Sequence, residues 1–288
     1  MDILVQLSFN SLIAASIYAL TALGFNLIFG ATKFFNLAHG ALSAVGAYTA
    51  FYVIKRLDQP YWLAIVAAVL LAGLIGFGLD KILFKPMRKR KASNMVLLVA
   101  SLGAFTVLQA AVAIIFGSQI QTLTRSVSRV PVYHIAGGSF TQTHVIIFAA
   151  ALLAYVGLAL LLSRTVFGKA IQALSDDQEV ATIIGIHTGR FIGYVFFIGS
   201  ALAGAAGVAL GFDTGIQPTL GLPLLLKGVI ASIVGGVGSI HGAVLGAVVL
   251  GFVENFGIWK IPGEWKDALA FGLLIVFLIF RPRGILGR

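Results

Sequence analysis

Within its apolar stretches the chain carries few side chains able to do chemistry: Asn26, Asn36, His39, Gln109, Lys227, His241, Glu254 and Asn255. No chain of carboxylates is present among them to relay protons. Ionisable groups at membrane depth are costly and face a bundle interior or an aqueous pathway. Lys227 therefore reads as a pathway candidate, with snorkelling of its long stem to an interface as the plainer alternative. Glu254 and Asn255 stand near the end of their stretch and read as solvated. Other chemistries lack their residues. A phosphate-cradling loop needs G-x-x-x-x-G-K-[ST]. Here "GLPLLLKG" fails that spacing and "GVGSIHGA" has no lysine. His39, His134, His144, His187 and His241 are scattered, cysteine is absent and no H-E-x-x-H occurs, so no metal centre is expected. A G-x-S-x-G serine elbow is missing as well. No catalytic residue and no bound cofactor are expected of this chain.

The elements that must position these residues are membrane helices. Of 288 residues, 59% are hydrophobic and 10% charged, against about 25% charged in a soluble domain. The apolar runs are long and continuous, unlike the roughly ten-residue alternating strands of a membrane barrel. The expected fold is all-α and polytopic, one transmembrane domain over 1–288 with eight or nine spanning helices. A span needs about 20 mostly apolar residues. That ruler places spans near 3–29, 34–54, 61–80, 94–116, 144–163, 191–211, 222–237, 241–258 and 266–281. The short ones, 222–237 and 266–281, read as tilted, broken or re-entrant. "MDILVQLSFN" has no basic n-region, so no cleaved signal is expected.

Orientation follows from the basic loops. "KILFKPMRKRK" (81–91) holds six Lys/Arg and no acid, which sets it on the cytoplasmic side. Alternation brings 164–190 and the tail "RPRGILGR" to the same side and leaves the N-terminus outside. With Lys33, these segments carry 13 of the 20 basic residues, whereas Lys55, Arg56, Arg125, Arg129, Lys260 and Lys266 fall outside. The net charge of +10 thus encodes topology rather than affinity for nucleic acid.

Two loops exceed what a turn needs. The external one, "GSQIQTLTRSVSRVPVYHIAGGSFTQT" (117–143), is polar with β-branched alternation and predicts a small hairpin. In the internal one (164–190), Ala170, Ile171, Leu174, Val180, Ala181, Ile183 and Ile184 offer an apolar face beside the polar run Asp176, Asp177, Gln178 and Glu179. Ser175 is expected to cap a short helix beginning at Asp176, with acids in its positive first turn. The bland alternative is a plain linker.

Small residues recur at helical spacing. Gly238, Gly242 and Gly246 form one four-residue series; Gly199, Ala203, Gly207 and Gly211 form another. Both predict faces where backbones approach closely. Two further runs, "NLAHGALSAVGA" and "SIHGAVLGAVV", each contain His-Gly-Ala. Interrupted segments at matching places in two halves of a transporter tend to meet at its pathway. His39 and His241 accordingly read as helix-start residues near an inner gate, neither deeply buried, with Asn36 a further pathway or gate candidate.

Several ordered segments carry a family resemblance: "SIYALTALGFNLIFGATKFFNLAHGALSAVGAY", "GKAIQALSDDQEVATIIGIHTGR", "GSALAGAAGVALG", "LLLKGVIASIVGGVGSIHGAVLGAVVLGFVEN" and "FGLLIVFLIFRPRGILGR". Together they resemble the LivH-type permeases of branched-chain amino acid ABC importers over nearly the whole chain. The resemblance implies a multi-pass subunit of the bacterial inner membrane, embedded in the lipid bilayer. It also implies a second, LivM-like permease subunit, two cytoplasmic ATPase subunits that hydrolyse the ATP, and an external substrate-binding protein. The family's ATPase-coupling segment maps onto Ala173, Asp176, Asp177, Ala181, Gly185 and Ile186, with Glu179 in the same turn. One departure stands out: in the G-x-G-S-x-x-G-A stretch the family often has proline where this chain has His241. The implied substrate is a branched-chain or related small neutral amino acid. A urea or short-amide importer of the same family, or a self-sufficient secondary carrier, is the alternative, and the sparse polar set favours the amino acid.

Overall fold

Polar residues placed just before apolar runs fix where the helices start. Ser93, Thr141, Thr165, Asp177 and Ser239 each accept a hydrogen bond from a first-turn backbone N–H, satisfying donors that a helix start leaves orphaned. The computed structural model describes residues 2–124, 131–135 and 137–287; Arg125 and Arg129 of the charge pattern, and Arg288 of the tail, lie outside them. The order is α1 (Asp2–Thr32), α2 (Ala38–Lys55) and α3 (Tyr61–Leu79), which runs through a π turn (Asp80–Phe84) into α4 (Lys85–Lys89). Then come α5 (Asn94–Phe116), the strands β1 (Val132–Ile135) and β2 (Gly138–Thr141), α6 (Gln142–Arg164), α7 (Val166–Asp176) and α8 (Gln178–Ile183). The chain closes with α9 (Thr188–Asp213), α10 (Gly221–Gly235), α11 (Ile240–Gly257) and α12 (Lys266–Phe280). The fold is all-α and polytopic.

α1 forms the axis, packed against α9, α10 and α11; α2 sits beside it, walled by α3, α5, α9 and α10. Small residues allow this. Gly46 meets Gly204, Gly207 lies on the Ser43 backbone, and Gly242 and Gly246 lie on Gly235 and Ala231. A Cβ at any of these positions would strike backbone, so only glycine lets the helices come this close. Ala203 and Gly211 are buried on the same face of α9. Gly238 departs from its expected series. It stands in the α10–α11 turn with φ +88°, and open space surrounds it, so its role is conformational rather than packing.

Seven helices among the described residues are long and apolar enough to cross a membrane, and the chain is a multi-pass membrane protein. α2 and α12 fall outside that set. His39, Ser43 and Lys55 dilute the hydropathy of α2, which is tolerable because protein surrounds most of it. α12 has only 15 residues. Around the outside, Val107, Ile114, Leu153 and Phe280 stand exposed, as a lipid-facing perimeter requires.

α1 has 31 residues, about 46 Å at 1.5 Å per residue, more than one span needs. Its first turns carry the expected hairpin. Gln6 Oε1 accepts from Ser139 N at 2.8 Å, Gln6 Nε2 donates to Ser139 O at 3.1 Å, and Phe9 packs on Phe140 with ring centroids 5.2 Å apart. The hairpin end and the opposite end, which bears the 81–91 loop, 164–190 and the tail, are called the far end and the basic end below.

Candidate functional site

At the basic end, 164–190 folds into two short helices rather than one. α7 runs on through Ser175 and Asp176, so Ser175 is not a cap. Asp177 adopts extended backbone (φ −152°, ψ 116°) and its carboxylate accepts from Glu179 N and Val180 N at 2.8 and 3.0 Å. A carboxylate reaches two amides at a positive helix end, which a serine inside a continuing helix cannot do. The expected apolar face also divides in two. Ala170, Ile171, Leu174 and Ala181 are buried against the bundle, whereas Val180, Ile183 and Ile184 are exposed, Ile183 by 79%. Beside that apolar tip stand the exposed Asp176, Asp177 and Glu179 and the glycine Gly185 (φ +88°), with Ala173 and Ile186 half-buried.

The segment is tied to α1 through an amide. Gln178 Nε2 donates to the carbonyl of Ala31 at 2.5 Å, an acceptor that the end of a helix leaves without an intrahelical donor. A turn and a half away, Asn26 holds the α10–α11 turn from both sides. Its Oδ1 accepts from Gly238 N at 2.8 Å and its Nδ2 donates to Ser239 O at 3.1 Å. The tail completes the same corner, Ile285 N and Leu286 N donating to Val234 O and Gly235 O. The sequence marks Asn26 as an in-span polar residue, but nothing local to it names its partners.

The two His-Gly-Ala histidines occupy different surroundings. Both are second residues of their helices, α2 and α11. His39 is wholly buried, contrary to the expectation, because α1 covers the start of α2. Its Nε2 lies 3.3 Å from Thr21 O; a carbonyl only accepts, so that nitrogen carries the proton. His241 is exposed and lies 2.8 Å through Nδ1 from the Tyr155 hydroxyl. Asn36 is buried, and its Oδ1 accepts from Ala38 N at 3.1 Å.

At the far end Glu254 and Asn255 are buried, not solvated. Asn255 Nδ2 donates to Gly251 O within its own helix. Glu254 joins a network: Lys227 and Lys266 pair with its two oxygens, and the Tyr18 hydroxyl donates to it at 2.6 Å. Lys227 also reaches Asp267 at 2.9 Å. The expected alternative, Lys227 snorkelling alone, gives way to pairing because α11 and α12 each bring a carboxylate within its reach. Among the described residues no group of three or more His, Asp or Glu could hold a metal ion.

Apolar helices with an amphipathic segment at the basic end and an ionic cluster toward the other make up a polytopic membrane bundle. Residues 7–278 match the family model described as the branched-chain amino acid transport system permease component, and the chain belongs to that family. It is 33% identical to the high-affinity branched-chain amino acid transport system permease protein BraD of Pseudomonas aeruginosa, over 97% of this chain and 94% of that one. Identity to the corresponding LivH of Salmonella typhimurium is 32%, over 98% and 95%. A weaker likeness, 24% over 94% of this chain and 68% of the relative, joins it to LivM of the same organism. These matches support the branched-chain amino acid permease over the urea and secondary-carrier alternatives.

Proposed function

We propose that this chain is one of two transmembrane subunits of an ATP-driven importer for leucine, isoleucine, valine or a related small neutral amino acid in a bacterial inner membrane. A LivM-like subunit pairs with it, an external binding protein delivers substrate at the far end, and two ATPase subunits hydrolyse ATP at the basic, cytoplasmic end. Nine helices cross the bilayer in this reading. α2 joins the basic end of α1 to the far end of α3 through connections of five residues on each side. α12 runs from the far-end ion cluster to a tail docked on the last carbonyls of α10.

The observation that carries the reading is the α7–α8 segment. It offers an exposed apolar tip with acids beside it, while its other face is buried and bonded to α1. The tip, with Ala173, Asp176, Asp177, Glu179, Gly185 and Ile186 around it, is the surface for the ATPase subunit, whereas Ala181, expected in the same segment, is buried and seats α8 on the bundle. Displacement of α8 pulls on Ala31, and Asn26 passes the movement to the α10–α11 turn, where His241 begins α11. Asn36 and His39 sit at the matching start of α2. ATP then acts by favouring one of two global states, not through chemistry in this chain. Reconstitution with the three kinds of partner, assayed for ATP-driven uptake of leucine, valine, alanine and urea, tests it. Uptake of leucine and valine well above alanine and urea is expected; ATP-independent uptake by the chain alone would overturn the reading.

A further inference from the structure

The far-end network has a composition that its position does not require. Two ammonium groups, Lys227 and Lys266, face two carboxylates, Glu254 and Asp267, so the cluster is neutral as a whole. Its members are held unequally. Glu254 is completely buried and fixed by Tyr18, Lys227 and Lys266. The Lys227 side chain is 12% exposed and its Nζ lies 5.7 Å from the centre of the Tyr18 ring. Asp267, its second partner, is 71% exposed. One half of the Lys227 pairing is thus permanent and the other is exchangeable with water and solutes.

Of the long helices, the one bearing Asp267 has the fewest buried residues among those described. Asp267 lies in the first turn of α12, after the exposed turn around 258–265, and Ala270 is the only buried residue described in that helix. Separating Asp267 from Lys227 frees a carboxylate that is already mostly exposed and leaves Lys227 on Glu254. Separating Glu254 would strand a charge in the interior.

We propose that Lys227 and Asp267 form a binding site for the head group of a zwitterionic amino acid, its carboxylate on Lys227 Nζ and its ammonium on Asp267. The proposal rests on the importer reading for its choice of ligand. A molecule carrying both charges on one carbon inserts into the pair and leaves each protein charge matched, as each was before. A monocation or monoanion of the same size makes only one of the two contacts. Lys227 stays neutralised throughout by Glu254, so the site is preorganised by a residue that never touches the ligand. Each member of the pair has an apolar neighbour on its own helix: Phe271, 42% exposed, stands four residues after Asp267, and the exposed Pro223 four residues before Lys227, each on the same helix face as its charged neighbour.

The test uses the assembled importer in lipid nanodiscs, without nucleotide and without the external binding protein, and measures equilibrium binding of radiolabelled leucine. Wild type is expected to bind leucine saturably, with valine competing. Leucinamide, which lacks the carboxylate, and 4-methylpentanoate, which lacks the ammonium, are expected to compete about tenfold less well or worse. Asp267→Asn is expected to weaken binding about tenfold and Lys227→Gln at least as much, since each removes a charge-assisted bond. Asp267→Asn is the decisive variant, because an exposed position tolerates the change whatever befalls Lys227→Gln. Absence of saturable leucine binding, unchanged affinity in Asp267→Asn, or equal competition by the two singly charged analogues would overturn the site. Leucine binding as described with no ATP-driven uptake would sink the importer reading and leave the site standing.

Discussion

Two joints at opposite ends of the bundle are fastened by different chemistry. In the basic-end corner between α1, α8, the α10–α11 turn and the tail, the ties are neutral amides on backbone: Gln178 to Ala31, Asn26 to Gly238 and Ser239, and the tail to α10. In the cluster around Glu254 toward the far end they are charges: Lys227, Glu254, Asp267 and Lys266. An amide on a backbone group has one geometry and cannot be exchanged for a solute ion. It therefore suits a joint that passes movement between helices. A charge network tolerates substitution of one partner by another of like sign, which suits a place where a charged solute pauses. The difference predicts that each end fails in its own way when altered.

The largest effect is expected where a buried charge loses its partner. Glu254→Leu leaves Lys227 with only the exposed Asp267, and breaking a buried pair costs about 3–5 kcal/mol. The yield of folded, monodisperse protein in detergent should collapse. Adding Lys227→Met to that variant removes the stranded charge, and stability should return to within about 1 kcal/mol of wild type, while leucine binding stays lost. Stability that does not recover in the double variant would show that Glu254 is held for its bond to Tyr18 rather than for Lys227. That outcome would undo the contrast between the ends.

At the basic end the largest functional loss should come without a stability loss. Ile183→Asp with Ile184→Asp places two charges on an exposed tip, where substitutions typically fall within about 0.5 kcal/mol. Thermal unfolding of the isolated subunit should be unchanged. Co-purification with the ATPase subunits and ATP-driven uptake should both fall at least about tenfold. Uptake that survives intact would mean that the apolar tip faces something other than a partner.

These two regions were unequally legible in the sequence. Hydropathy located the helices to within a few residues, since burying an apolar run in a bilayer is a property of the run itself. The hairpin followed from local alternation, and the close-packed glycines from their four-residue spacing. Partnerships across the chain did not follow. Glu254 looked solvated because its lysine lies 27 residues away in another helix and its tyrosine 236 away. His39 and His241 share a motif, yet one is buried and the other exposed, because the covering helix is not encoded in the three shared letters. Gly238 fitted a periodic series by spacing and belongs to a turn by φ. Periodicity reports which residues share a face only within one helix, and α11 begins at Ile240, beyond Gly238.

The smallest expected effect decides a point that spacing alone left wrong. A serine directly before an acidic turn is a reasonable cap, and Ser175 precedes Asp176, Asp177 and Glu179. In the structure the backbone leaves the helical region only at Asp177, whose carboxylate takes the two free amides of α8. Asp177→Ala should therefore lower stability by about 1 kcal/mol, the usual worth of a cap, read as a shift in thermal midpoint, and Asp177→Asn by less, since an amide oxygen still accepts. Ser175→Ala should leave the midpoint unchanged. Should the two alanine variants exchange behaviour, α8 begins earlier than the cap geometry says. The exposed tip would then point along a different line from α1.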